Sequence, residues 1–308
     1  MDELISRIEQ LKNQLDFLKN ENFSPAPSGT RYKVFISEKY VVRFRDDNPD
    51  LLKREAKFLG KLNHSLIPKI VWEGIIDSYP FMIEGRLPGQ TLDMVWRNLP
   101  PETQSRIIRD IVEFIGYLYN QQNNKIYSVS TGKSYNNFWA YLTDDIEKRV
   151  DILKDYSQIK KELKNILVII QKPEAQTVFK QPKITLVHGD LIIHNLLTDG
   201  ENITGVLDWE SALFGDSDYD LFRLFYYQEC AKAYYDQGID ETFESDYMDK
   251  LVAAILKSNF IKDEKIFYKK YQLARAIFYL NAFDWAANSD NPEKYFGELA
   301  TRWNKKRG

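Results

Sequence analysis

Residues 186–221 read LVHGDLIIHNLLTDGENITGVLDWESALFGDSDYDL, and their pattern decides the fold. Two short apolar runs, 184–187 and 205–207, have the look of buried strands. Each ends on an aspartate-bearing loop, with Asp190 after the first and Asp208 after the second. Between them Asn195 leads into Leu196-Leu197, and Thr198-Asp199-Gly200-Glu201-Asn202 has the chemistry of a hairpin turn. Asp190, Asn195 and Asp208 are therefore expected at one end of a small set of strands. A carboxylate to take a hydroxyl proton, with an amide and a second carboxylate to ligate a divalent cation, are the parts that magnesium-assisted phosphoryl transfer requires.

Upstream of this stretch the pattern is mixed. Leu4, Ile8, Leu11, Leu15 and Leu18 recur at alternating spacings of four and three, which predicts a helix over 2–20. Its apolar stripe either packs on the rest of its own domain or contacts a second copy. After the turn-rich 23–30 come two expected strands, 31–36 and 39–44. In the second, Val41, Arg43 and Arg45 share one face and Val42 and Phe44 the other. A helix is expected over 50–62, with Asn48 or Asp50 as its N-cap and Pro49 near its start. Two further strands, 69–73 and 79–83, lead to a linker at 84–89. From there the pattern is mostly helical: 101–121, 137–155, 158–171, and after the catalytic stretch about 218–236, 244–258, 265–287 and 292–305.

Composition narrows the class. With 308 residues the chain has room for two lobes, and a net charge of −3 offers no field for nucleic acid. One cysteine, Cys230, excludes an internal disulfide, and three histidines are too few for a histidine-rich metal centre. No apolar run approaches a membrane span and no signal-peptide core is visible, so a cytoplasmic enzyme without a membrane partner is the expectation. As to assembly, a monomer or a weak homodimer is expected.

The segment His188-Gly189-Asp190-Leu191-Ile192-Ile193-His194-Asn195 resembles the H-G-D-x-x-x-x-N loop of the aminoglycoside phosphotransferase family, small-molecule relatives of the eukaryotic protein kinases. Val206-Leu207-Asp208-Trp209-Glu210 is similar to the segment that stands in that family where protein kinases have Asp-Phe-Gly. Gly215-Asp216 followed by Asp220-Leu221 resembles its G-D-P-x-x-D-L segment. Within the family this stretch looks closest to hygromycin B phosphotransferases. The resemblance implies an α+β, bilobal protein-kinase-like fold. Residues 1–85 would form a small β-rich nucleotide lobe with a leading helix, and 86–308 a larger, mainly helical lobe.

The same resemblance implies roles. Asp190 would be the catalytic carboxylate, Asn195 and Asp208 the Mg2+ ligands, and His188 and Asp220 braces of the loop. ATP or GTP would donate the phosphoryl group. Ser28 and Gly29 would lie over its phosphates, and Arg43, where many relatives carry lysine, would grip them while paired with Glu55. Val41, on the face of Arg43, would lie against the purine, and the backbone of the hinge, including Ile83, Glu84 and Gly85, would hydrogen-bond it. The acceptor would be an aminoglycoside, hygromycin B-like, and the outcome antibiotic resistance. Alternatives are a kinase for another small alcohol (a macrolide, an amino sugar, choline or homoserine) or a nucleotide-binding pseudokinase scaffold.

Asp208, Glu210, Asp216, Asp218 and Asp220 crowd into one run with no lysine or arginine. Asp216 and Asp218, with Glu229 and Asp284 further along, are therefore candidates to meet a cationic substrate. Tyr226, Tyr227, Tyr234, Tyr235 and Tyr279 would supply aromatic edges, whereas Trp139 is read as core. The basic tail, 305–307, departs from relatives whose acidic C-terminus contacts the drug.

Overall fold

The computed structural model describes residues 2–26, 33–45, 48–180, 182–230 and 241–305. From the N-terminus come α1 (Asp2–Gln14), β1 (Ser24–Pro25), β2 (Lys33–Ile36), β3 (Tyr40–Phe44), α2 (Pro49–Leu59), β4 (Ile70–Ile76), β5 (Tyr79–Gly85), β6 (Gln90–Thr91) and α3 (Leu92–Val95). Next are α4 (Pro101–Asn120), β7 (Ile126–Ser128), β8 (Ser134–Tyr135), α5 (Phe138–Leu142), α6 (Ile146–Leu153), α7 (Lys160–Ile170) and α8 (Glu174–Val178). Strands β9 (Ile184–Val187), β10 (Leu196–Thr198), β11 (Ile203–Val206) and β12 (Leu213–Asp216) precede α9 (Tyr219–Cys230), α10 (Glu241–Lys257), α11 (Glu264–Ala287) and α12 (Pro292–Lys305). The architecture is α+β, and the chain divides into two compact units. One comprises Met1–Val95, Ser128–Lys133 and His194–Ala212; the other comprises Trp96–Tyr127, Ser134–Ile193 and Leu213–Gly308.

The first unit is built on an antiparallel sheet in the order β1-β2-β3-β5-β4. Alternation along β3 sends Val42 and Phe44 to one face, where both are fully buried. They meet Leu4, Ile8, Leu11 and Leu18, so the N-terminal stripe packs on its own unit. The helix stops earlier than its stripe: α1 ends at Gln14, Leu15 is extended, and Leu18 reaches the core from a 3-10 turn. Leu11→Ala is expected to lower stability by about 2–5 kcal/mol, because a nearly inaccessible leucine leaves a cavity there. Urea denaturation followed by tryptophan fluorescence measures it.

The opposite face carries α2. Asn48 caps it, accepting the Leu51 N–H at 3.2 Å, and Pro49 fills a first-turn position whose N–H needs no partner. Leu52 and Ala56 pack on Met82 of β5. The expected linker at 84–89 begins later than its composition implied, because Glu84 and Gly85 complete β5. Gly89, at φ 106, lies so close to Thr198 that a Cβ there would fall 2.5 Å from the Thr198 carbonyl oxygen. The chain then forms β6 against β10, whose other neighbour is β11.

In the second unit β9 pairs with β12, within a sheet ordered β8-β7-β12-β9. This corrects one expectation. The apolar runs at 184–187 and 205–207 do not share a sheet, because β9 finds its partner in β12 and β11 finds its partner in β10. Helix α11 is the unit's central element, capped by Asp263 accepting the Ile266 N–H at 2.9 Å and buried along most of its length. No helix among the described residues is long and apolar enough to cross a membrane.

Candidate active site

In the first unit, strand register places Arg43 opposite Met82, with Glu84 two residues on and diagonal to it on the same face. The α2 stripe brings Glu55 to that face. Arg43 donates from Nη1 to Glu55 Oε1 at 2.7 Å and from Nη2 to Glu55 Oε2 at 3.1 Å, a bidentate fork. Its Nη1 also donates to Glu84 Oε1 at 2.9 Å. Glu55 is fully buried, and Arg43 and Glu84 are nearly so. Burial raises the Glu84 carboxyl above its ordinary value, against the pull of Arg43. The Arg43–Glu55 pair was expected; the carboxylate of Glu84 as a third member was not.

Around this pair the expected hinge needs a correction. The Gly85 N–H donates to the Lys69 carbonyl at 2.9 Å, and the Arg86 N–H to the Lys39 carbonyl at 2.8 Å. The sheet has therefore used these two donors, and a purine contact cannot come from them. Ile83 is fully buried in the core, and Val41, paired with Glu84, is half-buried. Ser28 and Gly29 lie outside the described residues.

The β10–β11 hairpin sets two further groups. Leu196 pairs with Val206, and the Leu207 N–H donates to the Asn195 carbonyl at 2.7 Å. Asn195 and Asp208 therefore stand at the same end of one hairpin. Asp208 adopts a left-handed conformation, φ 62 and ψ 71, which turns the chain sharply out of β11. Two arginines hold the surroundings. Arg45 donates to Glu210 Oε2 at 2.5 Å, tying the end of β3 to the residues just after Asp208. Arg54, beside Glu55, donates to the carbonyls of Val129 and Ser130 at 2.8 and 2.9 Å and fixes the outer side of α2. His194 and Asp93 pair at 2.9 Å.

In the second unit Asp190 follows β9 on a pinned loop. Asp220, at the start of α9, accepts the His188 N–H at 2.9 Å and the Gly189 N–H at 2.8 Å. Burial raises the Asp220 carboxyl, while the two N–H groups that it accepts pull it back. The His188 ring accepts the Asp190 N–H through Nδ1 at 3.2 Å. Both residues are thus braces, as expected. The Asp190 side chain has two partners that sequence reading missed. Tyr227 donates its hydroxyl to Asp190 Oδ1 at 2.5 Å, and Arg223 donates Nη2 to the same oxygen at 3.2 Å. Arg223 Nη2 also donates to the Tyr227 hydroxyl oxygen. The signal was available in the spacing: 220, 223 and 227 follow one another by three and four, one face of a helix whose first member grips the loop.

The carboxylates expected to meet substrate are engaged elsewhere. Lys270 sits 2.8 Å from Asp216 and 3.0 Å from Asp218. Asp216 is fully buried, and burial pushes it up to about 6 although Lys270 pulls the other way. Glu229 accepts from Arg275 Nε and from the Tyr271 hydroxyl, each at 2.6 Å, and Asp284 accepts from Arg149 at 2.6 Å. The correction is physical: a buried carboxylate needs an internal cation, and here α11 and α6 supply it. Tyr226 and Tyr279 are core, Trp139 is core and stacks on Phe179, and Tyr234 and Tyr235 lie outside the described residues.

Comparison with known proteins adds four findings. Residues 23–251 of the 308 match the family described as phosphotransferase enzyme family. A stretch of 43 residues is 46% identical to hygromycin-B 4-O-kinase of Escherichia coli; it spans 14% of this chain and 13% of that protein. The whole fold is similar to the crystal structure of aminoglycoside phosphotransferase APH(4)-Ia, with a TM-score of 0.68 at 16% identity over 98% of this chain and 100% of the other. It is also similar to the gentamicin complex of APH(2")-IIa, with a TM-score of 0.67 at 17% identity over 98% and 96%. The architecture is therefore the kinase-like fold of the aminoglycoside phosphotransferases.

Proposed function

The chain belongs to the phosphotransferase enzyme family, and from that premise we propose that it moves the γ-phosphoryl group of ATP or GTP to a hydroxyl of an aminoglycoside, hygromycin B-like in class, and so confers resistance in the cytoplasm. Residues 1–85 serve the nucleotide and 86–308 carry the acceptor and the catalytic loop. The observation that carries this reading is Asp190, a carboxylate on a loop pinned by Asp220 through two backbone N–H groups. Asp190 accepts the acceptor's hydroxyl proton as the oxygen attacks phosphorus. Arg43, oriented by Glu55 and Glu84, serves the nucleotide phosphates; Ser28 and Gly29, the other residues assigned to the phosphates, are outside the described residues. Val41 lies on the purine side, and the hinge backbone of Ile83, Glu84 and Gly85 runs beside it, with Gly85 contributing through groups other than its N–H.

The donor set fits Mg2+. Asn195 and Asp208 offer hard oxygens at one end of a hairpin, and two protein ligands beside nucleotide phosphates suit magnesium, which keeps several other oxygen ligands. Asn195 and Asp208 would hold it, and it would supply charge neutralisation on the phosphates.

One observation favours a second reading. Asp216, Asp218, Glu229 and Asp284 already face lysine or arginine, which favours an acceptor less cationic than an aminoglycoside, such as another small polyol or amino alcohol. A coupled nucleotide-turnover screen with ATP and GTP across aminoglycosides, macrolides and small alcohols decides between them. Hygromycin B-dependent turnover, with a single phosphate added to the drug by mass spectrometry, is the expected result. Turnover only with an uncharged or singly charged alcohol replaces the aminoglycoside reading by the second.

A further inference from the structure

Tyr227 occupies Asp190 as an acceptor would. Its hydroxyl donates to the carboxylate at 2.5 Å, at the distance and in the sense required of a hydroxyl about to lose a proton to a general base. Arg223 donates to both members, so the three groups close into a triangle. The guanidinium also lies over the Tyr227 ring, 4.9 Å from its centroid, and over the Phe278 ring at 5.4 Å, which fixes it from the side. A phenol is a better hydrogen-bond donor to a carboxylate than water is, because it is the more acidic of the two. An Arg223 N–H pointing at the phenol oxygen strengthens that donor further.

The need for such a contact follows from exposure. The Asp190 side chain is 24% exposed, so solvent reaches the base. A base that activates an alcohol also activates water. The water oxygen would then bond to the γ-phosphorus, its proton would pass to Asp190, the bond to the β–γ bridging oxygen would break, and the nucleoside diphosphate would leave. We propose that Tyr227 is a placeholder for the acceptor hydroxyl: it holds Asp190 Oδ1 until an acceptor displaces it, and so restrains wasteful hydrolysis of the nucleotide. This rests on the reading of Asp190 as the base. Arg223 is the positioning residue, holding phenol and carboxylate in register.

The test needs no knowledge of the acceptor. Full-length wild type, Tyr227→Phe, Asp190→Asn and the double variant are incubated with magnesium and ATP, and in parallel GTP, and released phosphate is measured. Tyr227→Phe is expected to hydrolyse at least about five-fold faster than wild type, and Asp190→Asn to abolish that gain. Tyr227→Leu removes the hydroxyl by a second route should the first variant fold poorly. Unchanged or slower hydrolysis in the Tyr227 variants overturns the placeholder and leaves Asp190 as base untouched. Fast hydrolysis that persists in the double variant overturns both. Mass spectrometry of the wild type after incubation is expected to show Tyr227 unmodified; phosphate on Tyr227 would make it an acceptor and overturn its role as placeholder.

Discussion

Asp190→Asn is expected to lower the turnover of acceptor phosphorylation by about 10²–10⁴-fold while leaving the fold in place. The amide keeps an oxygen for the Tyr227 hydroxyl and the Arg223 guanidinium, both of which donate to Oδ1 of the carboxylate. The loop's own supports, Asp220 to the backbone at 188 and 189 and His188 to the backbone at 190, do not use the side chain of 190 at all. What is lost is the capacity to take a proton. The defect should therefore fall on kcat, with the KM values for nucleotide and acceptor changed little. Steady-state kinetics with the acceptor found in the screen reads this directly. A variant that keeps turnover within about three-fold of wild type would remove Asp190 from the role of base.

How much of this was legible before the structure depended on the range of the interaction. The strand alternation in 40–44 and the leucine spacing in 4–18 are local patterns, and both faces are where they point. The Arg43–Glu55 pair was also readable, since the alternating strand and the following helix each commit one side chain to the sheet face. Glu84 as a second carboxylate on Arg43 was not, because it depends on the register of β5 against β3, which no stretch of sequence states. The acidic run 208–220 misled for the same reason. Its cations come from residues such as Lys270 and Arg45, between about 50 and 165 positions away in the chain. Sequence counted the carboxylates correctly and could not count their partners. Asp190, Asn195 and Asp208 stood out by spacing. Yet the hairpin unites only Asn195 and Asp208, while Asp190 belongs to the second unit and is held there by α9.

Arg43→Met is expected to be the most destabilising change near the first unit's candidate site, at about 3–5 kcal/mol. Methionine fills much of the volume but leaves Glu55, fully inaccessible, and Glu84, 5% exposed, facing each other without the guanidinium that both now engage. Two buried carboxylates deprived of that guanidinium cost far more than the pair itself contributes, because the penalty is that of desolvated anions. The pH dependence has a definite sign. Burial raises the Glu84 carboxyl even with Arg43 present. An acid whose folded-state pKa lies above its unfolded value binds more protons when folded, so stability falls as pH rises between those two values. Removing Arg43 enlarges that gap. The loss should be greatest near neutral pH and shrink as the medium is acidified toward the ordinary carboxylate range. Arg43→Met combined with Glu84→Gln should recover part of the loss at neutral pH by removing one of the two anions. Arg43→Lys should be milder, keeping the charge but losing the bidentate fork to Glu55. Urea denaturation at two pH values measures all of these. A loss under about 1 kcal/mol for Arg43→Met, or one that grows on acidification, would mean that the guanidinium does not balance these buried carboxylates.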